Sequence, residues 1–408
     1  MNRLRVLTPQ GVSGALAAEP GERYFFSYDG EAQPAVEVSL TMPVRAEPYS
    51  SPHLLPIFQM NLPEGYVLEQ IRNRFAKASR LDSMTLLAMT GGDQPIGRLR
   101  FSAAAGLAAA VGAPTVGAGG ERLDDILAWD GAEDLFALLA DRYLLRSAIS
   151  GVQPKLLVPE RTAESGKASV VTADLIVKSG GNDYPGLAVN EFVCMTVARE
   201  AGLPTPDFYL SSNRELFVVR RFDRVAGAAL GFEDFAVLMG KGASQKYEGS
   251  YEQLVRASDL FVSAENRADA KRQLFDQIAL SCLLGNGDAH LKNFGVLYSD
   301  PSHDDVRLAP IYDLVNTTAY IPEDALALTL GGSKSLHASL VHLQEFAERC
   351  GVEEPRERLR GFVDVAVRVM REHEDLLSMA PDVGKALDRS LERFDRGLPK
   401  VDNDLVRG

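Results

Sequence analysis

Residues 285–294 read Gly-Asn-Gly-Asp-Ala-His-Leu-Lys-Asn-Phe, and the reading of this stretch decides the fold of the rest. Asp288 and Asn293 put two oxygen-bearing side chains on a turn of glycines and small residues. Phosphoryl transfer asks this of a loop: the carboxylate accepts the proton of an attacking hydroxyl, and the amide oxygen helps hold a magnesium ion that bridges the phosphates. Farther on, Ala309-Pro310-Ile311-Tyr312-Asp313-Leu314 sets a second lone carboxylate behind a short apolar run. Asp313 is the expected main metal ligand, because Mg²⁺ is a hard cation that takes one or two protein carboxylates beside waters and substrate phosphates. Asp and Asn are also common turn residues, since their side chains bond nearby backbone groups. The loop therefore gains its meaning from its company upstream.

That company appears in a definite order. An amphipathic helical pattern over 271–284, with 274, 278 and 282 beside 275, 279 and 283, delivers the loop and stops at Gly285. Before it, Leu216 to Val219 reads as a strand running into the charged connector Arg220-Arg221-Phe222-Asp223-Arg224, where the hinge of a two-lobed kinase would meet adenine through backbone groups. Earlier still, Asp174 to Lys178 is a strand ending in a lone lysine that can reach phosphates. A helix beginning at Asn190 carries Glu191, which either favours the helix dipole or pairs with Lys178. First in order stands the small-residue turn Ser147-Ala148-Ile149-Ser150-Gly151-Val152-Gln153-Pro154-Lys155, feeding a strand to Val158. Backbone N–H groups of such a turn approach phosphate oxygens closely, and Lys155 adds charge to the cradle. Phosphate turn, strand lysine, helix glutamate, hinge, base loop and metal aspartate form one consistent sequence.

Composition sets the frame. At 408 residues, 46% hydrophobic and 24% charged, the chain is an ordinary globular protein long enough for two or three domains. A formal net charge of −13 argues against gripping nucleic acid directly, which needs clustered Lys and Arg to displace counterions. Any role on DNA must run through a partner. Cys194, Cys282 and Cys350 stand far apart among apolar residues, as reduced structural cysteines do. No apolar run approaches membrane-spanning length and the N-terminus has no basic-then-apolar segment, so a cytoplasmic protein without membrane contact is expected.

The N-terminal stretch to residue 101 reads as a mixed unit. Strands are expected at Arg5 to Leu7, Tyr24 to Tyr28 and Ala35 to Leu40, the last half-buried because Val36, Val38 and Leu40 alternate with polar residues. Helices are expected from Tyr66 to Ala76 and around Met84 to Met89. Residues 102–120, rich in Ala and Gly, read as a linker, followed by helices at Leu123 to Trp129 and Glu133 to Leu139. Beyond 340 the pattern is helical, with Phe346, Val365, Leu376 and Leu377 as buried candidates.

With these segments in view, the chain resembles the HipA family of serine/threonine kinases, toxin members of bacterial toxin–antitoxin pairs. The resemblance rests on Asn61 to Gly65 with Gly91 to Phe101, Ser150 to Val158, Asn190 to Cys194, Arg220 to Arg224, Lys246 to Glu248, Gly285 to Phe294 and Pro310 to Leu314. The base loop and the Ser150 to Lys155 turn are its most diagnostic parts. It implies that Asp288 is the catalytic base and that Asn293 and Asp313 hold Mg²⁺. ATP would then be held by Ser150, Gly151, Val152, Gln153, Pro154, Lys155, Lys178, Arg220, Arg221, Phe222, His290, Lys292, Asn293 and Asp313, with Glu191 pairing Lys178. It also implies a protein substrate phosphorylated on serine, an aminoacyl-tRNA synthetase among the family's targets, and a HipB-like helix-turn-helix antitoxin that carries the complex to DNA.

Two departures stand out. The family's autophosphorylated serine, three positions before the glycine of the turn, is replaced here by Ala148, which leaves Ser150 and Ser147 as candidates. Around Gly231 to Phe235 a His-Gln found in many relatives is missing, so no substrate-side role is carried over to that segment. The expected architecture is α+β, a two-lobed kinase-like fold with an N-terminal α/β subdomain at 1–101. A linker with connecting helices at 102–145, a small lobe at 146–225 and a helical large lobe at 226–408 complete it. A small-molecule phosphotransferase, which shares a Gly-Asp-x-His-x-x-Asn loop, and a non-catalytic partner of an antitoxin repressor are the alternatives.

Overall fold

The computed structural model describes residues 2–19, 23–75, 81–91, 95–103, 120–131, 133–147, 149, 153–162, 170–181 and 183–398. The linker expected at 102–120 lies largely outside them. The N-terminal unit is a five-stranded antiparallel sheet in the order β4-β3-β2-β1-β5, built from β1 (Arg3–Thr8), β2 (Gly11–Glu19), β3 (Arg23–Tyr28), β4 (Tyr49–Ser51) and β5 (Arg100–Ser102). Leu4 and Val6 alternate with exposed arginines on β1, so one sheet face is buried and the other is wet. Helices α1 (Pro56–Gln59), α2 (Gly65–Arg74) and α3 (Ser83–Thr90) follow β4. Asp82 caps α3 by accepting from Thr85 N at 2.7 Å.

The strand expected at 35–40 does not form. Pro34 opens a short 3₁₀ turn, and the backbone N–H of Leu40 turns to the carboxylate of Glu233 at 2.8 Å, where the Ser39 hydroxyl also donates at 2.6 Å. Val36 and Val38 are buried as their alternation suggested, but a distant carboxylate takes the place of a neighbouring strand.

The small lobe is a four-stranded antiparallel sheet, β6-β7-β9-β8, from β6 (Lys155–Thr162), β7 (Val170–Ser179), β8 (Phe208–Leu210) and β9 (Leu216–Arg220). Alternation sorts its side chains. Leu156, Val158, Leu175, Val177, Leu216 and Val218 form a core with α4 (Leu123–Leu127), α5 (Leu135–Tyr143), and Val67, Ile71 and Leu86 from α2 and α3. The helices read as connectors, and two from the N-terminal unit, are thus the outer layer of the small lobe. The opposite face carries Lys155, Ile176, Lys178 and Val219 toward the large lobe. Helix α6 (Leu187–Glu200) packs there with its buried side chains, starting earlier than expected, so Glu191 sits in its second turn.

A hairpin of β10 (Arg224–Val225) and β11 (Ala228–Ala229) leads into the large lobe. There β12 (Gly231–Asp234), β13 (Gly295–Tyr298) and β14 (Arg307–Leu308) form a three-stranded sheet. Around it lie α7 (Phe235–Leu238), α8 (Tyr251–Phe261), α9 (Arg267–Leu284), α10 (Ser339–Cys350), α11 (Pro355–Glu372), α12 (Glu374–Met379) and α13 (Pro381–Gly397). The helix expected over 271–284 forms, but it is not amphipathic there: from Leu274 onward α9 is buried all round, because it runs through the centre of the large lobe. Phe346 and Leu377 are in the core, while Val365 and Leu376 pack partly buried against it. Phe232, Val237 and Leu297 join the core of the N-terminal sheet, so the N-terminal unit rests on both lobes. Among the described residues no helix is long and apolar enough to cross a membrane.

Candidate active site

The base loop is set by two glycines. Gly285 closes α9 in the left-handed conformation (φ +73°), which a side chain would resist, and a Cβ on Gly287 would lie 2.0 Å from Asp324 Oδ2. Gly287 N donates to Thr317 Oγ1 at 2.7 Å, and Asp288 N donates to Asn286 Oδ1 at 2.9 Å. These bonds aim Asp288 at a cleft of about 460 Å³ between the lobes. Gln153, Lys155, Lys178, Phe222, Asp288, His290, Lys292, Asn293 and Asp313, scattered over 160 positions from the small lobe to the large, all line it.

On the sheet side, Lys155 and Lys178 are cross-strand partners on β6 and β7. Two like charges facing one another need anions between them. Lys178 Nζ makes a close ion pair with Glu191 Oε1, lies 3.7 Å from Asp313 Oδ1, and sits 5.6 Å from the Phe217 ring centre. Burial works against its charge, but Asp313 and Glu191 outweigh burial and keep Lys178 protonated. Burial pushes the Glu191 carboxyl up, against the pull of Lys178. Asp313 resists burial too, because Lys178 and Lys155 hold its carboxyl below the ordinary range. Gln153 Nε2 donates to the second oxygen of Glu191 at 3.5 Å.

On the loop side, burial raises the Asp288 carboxyl above its ordinary range, in spite of a 2.7 Å bond from the Tyr247 hydroxyl. A raised carboxyl suits a general base. Asn293 spends its amide N–H on the Asp288 carbonyl at 3.0 Å, which leaves its oxygen as the free donor atom. Burial pulls His290 down to about 3, so it is neutral, and its Nδ1 is buried with no hydrogen-bond partner. Lys292 Nζ pairs with Glu64 Oε1 at 2.8 Å. At the apolar end Phe222 stacks on Tyr312 with ring centres 5.3 Å apart, Phe232 meets both, and Met60 and Ile96 of the N-terminal unit close the wall.

Among the described residues there is no cluster of three or more His, Cys, Asp or Glu that could hold a metal ion. A carboxylate from Asp313 and an amide oxygen from Asn293 make instead the sparse oxygen set that a hydrated, phosphate-bridging Mg²⁺ takes.

Other expected residues sit elsewhere. Ser150, Gly151 and Val152, with Ala148, lie outside the described residues. Pro154 accepts from Ser179 N at 3.0 Å and does not line the cleft. Arg220 pairs with Glu160 at 2.6 Å, and Arg221 is fully buried against Asp223 and the Pro95 carbonyl, so neither side chain faces the cleft. Their part in a hinge is left to the backbone. Ser147 is buried, donating to the Tyr143 carbonyl at 3.1 Å and accepting from Leu157 N at 3.0 Å. Sequence reasoning missed Glu64, Asp234, Tyr247, Met60 and Ile96. The Lys246 to Glu248 and Asn61 to Gly65 motifs were visible, but nothing local said that Lys246 and Tyr247 line this cleft or that Glu64 pairs with Lys292. Glu233 explains the segment at 231–235: it is buried and receives Ser39, Leu40 and the Tyr298 hydroxyl, a structural bridge to the N-terminal unit.

Comparison with known proteins bears on the same segments. The family description HipA-like C-terminal domain matches residues 147–373, and HipA N-terminal domain matches residues 4–102. Two Sinorhizobium fredii proteins, both described as candidate kinases, are each 31% identical. One match runs over 245 residues, 53% of this chain and 58% of that protein; the other over 376 residues, 83% of this chain and 84% of that protein. The chain therefore spans little more than half the length of the first. Among solved structures, the HipA toxin in a complex with HipB and operator DNA from Shewanella oneidensis superimposes with a TM-score of 0.67. It is 20% identical, covering 96% of this chain and 97% of that one, which establishes a common fold.

Proposed function

The chain belongs to the HipA family, and from that premise we propose that it is a serine/threonine-protein kinase toxin that transfers the γ-phosphate of ATP to a serine of a protein. One observation carries this reading. The Lys178–Glu191 pair, with Asp313 3.7 Å from the lysine, faces Asp288 across a single cleft. That is the set of charges an in-line phosphoryl transfer needs on its two sides.

Asp288 takes the proton of the acceptor hydroxyl as its oxygen bonds to the γ-phosphorus, while the bond from that phosphorus to the bridging oxygen breaks and ADP leaves with the electron pair. Lys178 and Lys155 neutralise phosphate oxygens, and Glu191 fixes where Lys178 points. The stacked Phe222 and Tyr312 with Ile96 and Met60 receive the apolar face of the base. Asp313 and Asn293 would hold Mg²⁺, which when bound spreads the negative charge of the phosphates. Positioning and charge neutralisation supply most of the acceleration.

The acceptor is proposed to be an aminoacyl-tRNA synthetase, so that transfer inhibits translation and growth. A HipB-like helix-turn-helix antitoxin would hold the toxin in check and bring an acidic chain to DNA that it cannot grip itself. Three free, buried cysteines suit a reduced, cytoplasmic setting. Self-modification is assigned to Ser150, since the hydroxyl of Ser147 is spent inside the small lobe.

Asp313→Ala tests the metal assignment. Phosphate transfer should fall by about a thousandfold or more while the thermal melting curve stays cooperative. Activity within a few-fold of wild type would reject Asp313 as the metal ligand and favour a different site.

A further inference from the structure

Tyr247 has no part in the mechanism above, yet it stands at the reaction centre. Its hydroxyl donates to Asp288 Oδ1 at 2.7 Å, its ring meets the edge of His290 at 5.1 Å, and Lys246 Nζ lies 5.0 Å from the ring centre. A general base must lie within hydrogen-bond reach of the hydroxyl it deprotonates, about 2.6–3.2 Å between heavy atoms. The phenol oxygen of Tyr247 already meets that condition. His290 Nε2, on a neutral ring, lies 4.0 Å from Asp288 Oδ1, beyond hydrogen-bond reach.

We propose that Tyr247 marks the acceptor-hydroxyl subsite: its phenol oxygen occupies the place that the acceptor serine hydroxyl takes on Asp288, and the ring leaves when a protein acceptor arrives. The proposal rests on the kinase reading and says what that reading does not, namely where the acceptor binds and what it must displace.

Three features support it. Tyr247 lines the same cleft as Asp313 and Lys178, and the Asp288 side chain that it bonds is half-exposed. It is 43% exposed, unlike the next aromatic, Tyr251, which is wholly buried with its hydroxyl on the Ala289 carbonyl. Tyr251 supports the loop; Tyr247 can leave without opening a cavity. Its segment is bounded by Gly240 (φ +67°) and Gly249 (φ +126°), and both conformations are ones that glycine alone adopts easily.

Two consequences follow from this placement. Without an acceptor, Tyr247 keeps water from using Asp288, which restrains idle hydrolysis of ATP. A free serine must compete with a hydroxyl tethered to the same loop region, whereas a protein can displace it with contacts made elsewhere, so the subsite selects protein acceptors.

The test is acceptor-free hydrolysis of Mg·ATP by wild type, Tyr247→Phe and Tyr247→Ala, with thermal melting to show that each is folded. A hydrogen bond to a charged group is worth roughly a factor of ten or more, so Tyr247→Phe should raise kcat for hydrolysis by about tenfold. KM for ATP should stay unchanged, and Tyr247→Ala should hydrolyse at least as fast. Hydrolysis by Tyr247→Phe equal to or slower than wild type would overturn the proposal and make Tyr247 a support for the base. Failure of the kinase reading has a separate signature: none of the three proteins would bind Mg·ATP in a calorimetric titration, and the subsite would fall with it.

Discussion

Two lysine–glutamate pairs each place a lysine on the cleft wall, and their glutamates come from different directions. Lys178 and Glu191 are separated by 13 residues within one lobe, and their side chains are 5% and 2% exposed. Lys292 and Glu64 are separated by 228 residues, the lysine on the base loop and the glutamate on the N-terminal unit, with side chains 9% and 24% exposed. The first pair is buried inside one lobe, and in the proposed function it forms part of the phosphate cradle. The second ties the base loop to a unit outside both lobes, beside Met60 and Ile96 on the cleft wall. On the proposed function, the N-terminal unit would therefore contribute to the geometry of the site as well as to stability.

If the comparison is right, breaking the two pairs will have unequal effects. Lys178→Met should reduce kcat/KM for phosphate transfer by about a thousandfold, because it removes a charge aimed at the phosphates. It also leaves Glu191 buried without its cation, so a fall in stability of about 3 kcal/mol in denaturant unfolding is expected. Retention of activity within tenfold would mean that Lys155 alone carries the phosphate contact.

The loss from Glu64→Gln should be smaller, about tenfold in kcat, with little change in KM for ATP. A cycle with Lys292→Met sharpens the point: the two single losses should exceed the loss of the pair, whereas additive effects would show that the contact does not matter for the loop. The stability effect of Glu64→Gln should be about 1 kcal/mol at neutral pH and should depend on pH. Burial acts to raise the Glu64 carboxyl, but Lys292, Lys246 and Lys155 outweigh it and hold it below its ordinary 4.5. The folded chain therefore gives up this proton more readily than the unfolded chain. The stabilisation is full above pH 4.5 and is lost as pH falls through the lowered folded value, so wild type and variant should converge in acid.

The contrast also explains what was legible in the sequence. Lys178, Glu191, Asp288, Asn293 and Asp313 each carry a local sign, such as a strand end, a helix turn or a glycine-bounded loop, and their order along the chain supplied the rest. Glu64, Tyr247 and Asp234 carry no such sign, because their roles come from contacts across the fold. Asp234 caps α7 through Val237 N at 2.9 Å and still lines the cleft, where burial raises its carboxyl to about 6. The strand expected at 35–40 failed for the same reason. Its alternation correctly marked Val36 and Val38 as buried, but the partner of Ser39 and Leu40 is Glu233, 194 and 193 positions away. The helices at 123–143 were legible as helices, while their service as the back of the small lobe depended on packing that a single segment does not express.

The central claim is that Asp288 drives phosphate transfer in this cleft. Mass spectrometry of purified wild type and Asp288→Ala after incubation with ATP and Mg²⁺ tests it most directly. The account predicts a phosphate on Ser150 in the wild type and none in the variant; equal phosphorylation of the two proteins, or none in either together with no turnover of ATP, would contradict it.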